Sequence, residues 1–244
     1  MRDEYIAVID SGIGGLNVLF GLLEKYPNEK FLYFSDSKNA PYGNKSVEEL
    51  FDITCKNIDY VKKFGVKTLV LGCNTLSSNL LNEISGYSHV PTFGVTPPID
   101  YAIKHYNRIL LLATVRTAQK YKLKKMGDVV GLKDLAEDIE KNCFDFGSID
   151  FIDHLINRSV GSFCDEKGWY DVVVLGCTHY NFIKKTIFDH LKPQAIIASE
   201  DFLPMLPLRE VTNRKSSVNY KQYDVLFVGD DAERNKKIMC QRWF

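Results

Sequence analysis

The sequence predicts an α/β protein of two similar parallel-sheet domains, related by a pseudo-twofold duplication, with the active site in the cleft between them. Three observations carry this expectation. Short apolar runs without alternation, the pattern of strands buried on both faces of a parallel sheet, alternate with helix-length segments of 3.6-residue period. One phrase occurs twice, as Thr68-Leu-Val-Leu-Gly-Cys73-Asn-Thr75 and as Val172-Val-Val-Leu-Gly-Cys177-Thr-His179, with the cysteines 104 residues apart. Two further strand ends, at Ser11 and Thr114, repeat at an offset of 103.

The first half opens with a strand at Ile6 to Ile9, then a helix near Leu16 to Lys25 and a strand at Phe31 to Phe34. A helix near Ser46 to Phe64 follows, with Val47, Leu50, Phe51, Ile58 and Val61 on one face, then a strand at Thr68 to Leu71 and a helix near Ser77 to Ile84. Consecutive prolines in Val95-Thr-Pro97-Pro98 suit neither a helix nor a sheet interior and mark the crossover between halves. The second half resumes with a strand at Arg108 to Leu112, a helix near Thr117 to Lys125 and a helix-rich stretch from about Leu132 to Val160. A strand at Asp171 to Leu175 and a helix at Phe182 to Leu191 complete it. Past Pro193, Asp224 to Gly229 reads as a strand and Ala232 to Trp243 as a helix, a tail expected to return to the first domain. The polar run Asn213 to Tyr223 predicts an exposed loop. The expected domains are residues 1–96 with 207–244, and residues 97–206.

At 244 residues and 45% hydrophobic, the chain can build ordinary packed cores. Its 31 basic and 31 acidic residues balance, and no basic stripe interleaved with aromatics points to nucleic acid, so a small soluble ligand is expected. The N-terminus runs directly into the first strand without room for a signal peptide, and no apolar run approaches the roughly 18 residues of a spanning helix. A cytoplasmic protein without a membrane partner is expected. Of six cysteines, Cys55, Cys143, Cys164 and Cys240 are expected to be small semi-buried apolar residues.

The remaining two stand at strand C-terminal ends, where ligands bind in open α/β sheets. A helix N-terminus there lowers a thiol's pKa below its reference of about 8.5 and favours the reactive thiolate. A thiolate and a thiol on opposite faces of one substrate carbon can remove a proton from one side and deliver another to the other, inverting the stereocentre. Cys73 and Cys177 are the expected pair. So weak a carbon acid needs its carboxylate held by neutral donors away from water, and Ser11, Asn74, Thr75, Thr114, Thr117 and Thr178 are expected to supply them. His179 can share the proton of Cys177, and Asp10 can do so for Cys73 or face a substrate ammonium. The turn Asp10-Ser-Gly12-Ile-Gly14-Gly15 fails as a dinucleotide fingerprint, because Asn17 occupies the third glycine position. It is expected to hold a carboxylate with its backbone N–H groups, and no cofactor is expected. In Asn39-Ala-Pro-Tyr42-Gly43, Gly43 can offer an N–H and Tyr42 can lid the cleft. Zinc held by Cys73, Cys177 and His179 has too few ligands and an unsuitable spacing, so no metal is expected; a Cys73–Cys177 disulfide would leave no room for substrate.

Taken together, Asp10-Ser-Gly-Ile-Gly-Gly-Leu16, Ala40-Pro-Tyr-Gly43, Gly72-Cys-Asn-Thr75, Ala113-Thr-Val-Arg-Thr117 and Gly176-Cys-Thr-His-Tyr180 resemble bacterial glutamate racemase, within the aspartate/glutamate racemase superfamily. The resemblance implies a cofactor-independent enzyme that interconverts L- and D-glutamate for peptidoglycan and is commonly a homodimer. It implies Cys73 and Cys177 as acid/base residues, with Asp10, Ser11, Tyr42, Gly43, Asn74, Thr75, Thr178 and His179 binding substrate or tuning the thiols. The stretch Asn142 to Asp153 departs from the family's Pro-rich run ending in Glu, leaving Asp150 or Asp153 as substitute partners for His179. The alternatives are the same two-thiol chemistry on aspartate and a catalytically silent binding protein of this fold.

Overall fold

The computed structural model describes residues 5–123, 126–142, 170–205 and 224–243. Its strands form two all-parallel sheets. The first contains β1 (Tyr5–Asp10), β2 (Lys30–Ser35), β3 (Val66–Leu71), β4 (Thr92–Gly94) and β9 (Val225–Val228), in the order β4-β3-β1-β2-β9. The second contains β5 (Ile109–Thr114), β6 (Gly127–Leu132), β7 (Val172–Gly176) and β8 (Ala195–Ala198), in the order β6-β5-β7-β8. Read from the other edge, the second sheet repeats β4-β3-β1-β2 strand for strand. The duplication inferred from the cysteine phrases is therefore present in the topology, with β1 matching β5 and β3 matching β7.

Burial on both faces explains the apolar runs. Along β1, Ile6 and Val8 enter one hydrophobic cluster while Ala7 and Ile9 enter another. Along β5, Leu110 and Leu112 face that same first cluster, and Ile109, Leu111 and Ala113 face a third. The inner faces of the two sheets thus share one continuous core, and each outer face has its own. Among the first-half helices, α1 (Gly15–Lys25) gives Leu16, Leu19 and Leu23 to the shared core, whereas α2 (Val47–Lys62) and α3 (Asn74–Ser88) cover the outer face with Leu50, Ile58, Leu76 and Ile84. Ser46 caps α2, its Oγ accepting from Glu49 N at 3.1 Å.

Several expectations need correction. The helix α3 begins at Asn74, directly after Cys73, rather than near Ser77. The helix expected to run to Lys125 is the single turn α5 (Val115–Ala118), after which Leu123 drops into the outer core and the chain enters β6. Leu132 ends that strand instead of starting a helix; α6 (Leu135–Lys141) follows, and the rest of the expected helix-rich stretch lies outside the described residues, as does Asn213 to Tyr223. In place of a helix from Phe182, Thr178–Ile183 forms a 3₁₀ segment and the α-helix spans Lys184–Leu191. Strands β4, β6 and β8, all at sheet edges, escaped sequence reasoning because pairing on one side requires only a short or weakly patterned run. The tail does return: β9 pairs with β2, and the helix Ala232–Trp243 packs beside it. Val95 to Pro98 lies between β4 and α4 (Ile99–His105), where the chain passes from one sheet to the other. Cys240 is exposed rather than semi-buried, Cys55 is half-buried as expected, and Cys143 and Cys164 lie outside the described residues. No helix among the described residues is long and apolar enough to cross a membrane.

Gly176 and Gly86 separate packing from propensity. A Cβ at Gly176 would stand 2.8 Å from Ala113 Cβ and 3.2 Å from the Leu112 carbonyl, whereas one at Gly86 in α3 meets nothing within 4 Å. Urea denaturation should show Gly176→Ala losing about 1–3 kcal/mol and Gly86→Ala gaining about 0.5–1 kcal/mol. Equal effects would contradict this packing.

Candidate active site

The C-terminal ends of β1, β3, β5 and β7 converge on a cavity of about 240 Å³. Cys73 and Cys177 both line it as free thiols, and Ser11, Tyr42, Gly43 and His179 share its wall. Asn74, Thr75, Thr114 and Thr178 complete the expected set that reaches the cavity. Asp10 and Thr117 do not. Asp10 lies fully buried behind the wall, and Thr117 stands behind a hydroxyl triangle in which Thr75 Oγ1 is 3.0 Å from Thr114 Oγ1 and 3.2 Å from Thr117 Oγ1. Thr117 is therefore a support for two lining threonines rather than a surface that a ligand can touch.

The glycine-rich turn does hold carboxylates with its N–H groups, but they belong to the protein. Gly12 N donates to Asp10 Oδ1 at 2.9 Å, and Ile13 N donates to Glu140 Oε2 at 2.8 Å. Expected as a cradle for a ligand carboxylate, the turn has already spent these two donors. Its glycines are needed for close approach: a Cβ at Gly14 would be 2.3 Å from Thr178 Oγ1, and one at Gly15 would be 2.4 Å from Asp10 Cβ. The turn is the seat on which the second half rests.

The two thiols have different surroundings. Burial pushes the Cys73 thiol up to about 12, and the Asp10 carboxylate adds to the push. The expected lowering by a helix N-terminus is outweighed, although Cys73 does immediately precede the fifteen-residue α3. Ser11 Oγ lies 3.8 Å from Cys73 Sγ and 3.5 Å from Asp10 Oδ1, which places the hydroxyl between thiol and carboxylate. Burial also raises Asp10, against the opposing charge of His179. Asp10 Oδ2 accepts from Thr178 Oγ1 at 3.3 Å.

Cys177 instead meets a histidine, its Sγ 3.8 Å from His179 Nδ1. His179 Nε2 is 2.7 Å from Glu140 Oε2. Asp150 and Asp153, expected as partners of His179, lie outside the described residues; among the described residues Glu140 of α6 holds the imidazole. Burial works to lower the His179 pKa, but the bonds to Cys177 and Glu140 prevail and hold it well above the usual value. Burial likewise works to raise Glu140; its bond to His179, the Ile13 N–H and the Arg234 guanidinium outweigh it, and the carboxylate is held below its usual value.

Tyr42 is buried rather than a movable lid. Its hydroxyl donates to Asp36 Oδ2 at 2.6 Å, an oxygen that also accepts from Asn57 Nδ2 at 2.9 Å, while Asn39 Nδ2 donates to Asp36 Oδ1 at 2.8 Å. This network fixes the loop carrying Gly43 against Thr114, whose Cβ would be 2.6 Å from a Cβ at Gly43. Across the cavity wall, Asn74 Oδ1 accepts from Ser199 Oγ at 2.7 Å, whereas its buried Nδ2 has no hydrogen-bond partner among the described residues.

No family model matches the chain. A glutamate racemase of Clostridium acetobutylicum is 32% identical over 249 aligned residues, covering 97% of this chain and 91% of that protein. The chain belongs to the glutamate racemase family. That membership makes it an amino-acid racemase. Solved structures agree in fold: a glutamate racemase isoform of Bacillus anthracis matches with a TM-score of 0.79 at 24% identity, covering 100% of this chain and 94% of that one. A Francisella tularensis glutamate racemase, solved in complex with D-glutamate, matches with a TM-score of 0.77 at 23% identity, covering 99% and 95%.

Sequence reasoning missed Glu140, Arg234 and Ser37 in the cavity wall and Asp36 behind it. Only Asp36 carried a usable signal, since it follows a strand and opens the loop to Tyr42.

Because burial holds Cys73 as a thiol, peptide mapping after iodoacetamide treatment should show its alkylation rising about tenfold per pH unit from pH 8 to 11 without levelling. A plateau near pH 9 would mean an ordinary thiol.

Proposed function

We propose that the protein interconverts L- and D-glutamate by proton transfer at Cα between two thiols, without a cofactor. The observation that carries this reading is a single buried cavity holding Cys73 and Cys177 at the ends of the matched strands β3 and β7. In one direction a thiolate takes the Cα hydrogen while the facing thiol supplies a proton to the opposite side of the carbon. In the reverse direction the roles exchange. Ser11 and Asp10 serve Cys73 as a path for its proton, and His179 serves Cys177.

The developing negative charge on the substrate's α-carboxylate needs neutral donors in a dry site. The Asn74 Nδ2, without a partner among the described residues, supports that role, and the Thr75 and Thr114 hydroxyls stand in the same wall. Ser11, Tyr42, Gly43 and Thr178 line the rest of the substrate space, with Asp10 and Thr117 as supports. Glutamate, rather than aspartate, is the reading that family membership supports. We assign residues 1–96 with 207–244 to one domain and 97–206 to the other, a division supported by the pairing of β9 with β2. A cytoplasmic homodimer supplying D-glutamate for peptidoglycan is the role this activity fits.

Incubation with L-glutamate in heavy water, without added cofactor, should give deuterium at Cα together with loss of optical rotation. A parallel incubation with L-aspartate should give far less. Cys73→Ala and Cys177→Ala should each lower kcat by at least about 10²-fold. Wild-type rate in either variant would defeat the two-thiol mechanism, and faster exchange with aspartate would defeat the substrate assignment.

A further inference from the structure

Glu140 is held from a direction that the proton transfers do not use. The helix Ala232–Trp243 is docked on the first sheet through Asn235, whose Nδ2 donates to Ser35 Oγ at 2.6 Å, and through Ile238 and Met239 in the shared core. Arg234 extends from this helix into the cavity wall. Its Nη1 donates to Glu140 Oε1 at 2.8 Å and its Nη2 donates to the Glu140 carbonyl at 2.6 Å. One planar guanidinium thus grips both the side chain and the backbone of the same residue, which fixes the carboxylate's orientation as a single contact cannot. With Oε1 engaged, Oε2 faces Ile13 N and His179 Nε2, and the far side of the imidazole faces Cys177.

We propose that Arg234 is a positioning residue for the second-half thiol: from the returning C-terminal helix it clamps Glu140, and through Glu140 it aims His179 at Cys177. The inference rests on the two-thiol reading above. It concerns one thiol only, because Cys73 is served by Ser11 and Asp10. Among the described residues, the charged and titratable groups facing this relay include Asp231, 3.9 Å from Arg234, Tyr33 beside Glu140 and Arg234, and Asp10 and Cys177 near His179. Lys141 and Glu137 of α6 occupy the same wall and pair with each other.

The test uses the full-length protein with Arg234→Gln and Arg234→Lys. Racemisation of L-glutamate, followed by circular dichroism, should show kcat falling about 10- to 100-fold in Arg234→Gln with KM changed far less. Arg234→Lys should recover part of the loss, since an ammonium can hold Oε1 but cannot span side chain and backbone. The decisive readout is the His179 ring, titrated by ¹⁵N NMR. Releasing Glu140 should move its titration to lower pH in Arg234→Gln, whereas removing a nearby positive charge without releasing Glu140 would move it higher. An unmoved or raised titration, or wild-type kcat, in a variant that is folded by far-UV circular dichroism overturns the inference. Should Arg234→Gln fail to fold, Arg234→Lys decides alone: reduced kcat with a lowered His179 titration supports the clamp, and wild-type values for both overturn it. Activity surviving in Cys177→Ala would strike the two-thiol reading instead, whereas an inactive Cys177→Ala beside a wild-type-like Arg234→Gln strikes only the clamp.

Discussion

The buried carboxylate of Glu140 is the contact on which the arrangement of the site depends. It accepts from Ile13 N and from Ser37 Oγ in the first half, meets His179 in the second, and pairs with Arg234 of the returning tail. An isolated carboxylate at that depth would carry a desolvation cost of several kcal/mol, and removing one of several partners leaves the others facing an uncompensated charge. That dependence makes the two sides of the cleft cooperative. The imidazole cannot shift without disturbing the turn at Ile13, and the turn cannot shift without disturbing Cys73 through Ser11.

The glycines follow from the same constraint. A Cβ at Gly12 would stand 2.2 Å from Glu140 Oε2, so a side chain there would take the place of the carboxylate that joins the halves. Gly14 makes room for Thr178 and His179, and Gly15 for Asp10. A glycine-rich turn after a first strand is usually read as room for a phosphate. Here the space is filled by the protein's second half, which is why the spacing departs from a nucleotide fingerprint while the turn itself persists.

Duplication supplied two equal scaffolds, and the contacts between them made the half-sites unequal. Cys73 precedes a full α-helix and sits near a buried carboxylate that favours its protonated form. Cys177 precedes a 3₁₀ segment whose second residue, His179, folds back toward the sulfur. The two thiols therefore face different partners, a hydroxyl and a carboxyl group at Cys73 and an imidazole at Cys177.

What could be read in advance divides along the range of the contacts. The strands of the central pairs, the cysteines at their ends and the return of the tail are written in local runs, because burial on both faces leaves Ile6 to Ile9 or Val172 to Leu175 little choice of residue. Glu140 carries no such mark. Its helix, Leu135–Lys141, turns Leu135, Ala136 and Ile139 into the core, as any amphipathic helix does. Its partners lie 39, 94 and 127 residues away in the chain, at His179, Arg234 and Ile13. A lone acid on a helix and a lone arginine on another are each read as solvated charges, and only the closure of the two halves brings them together. The residue that most constrains the site is therefore the one whose local sequence says least about it, because its environment is built entirely from distant segments.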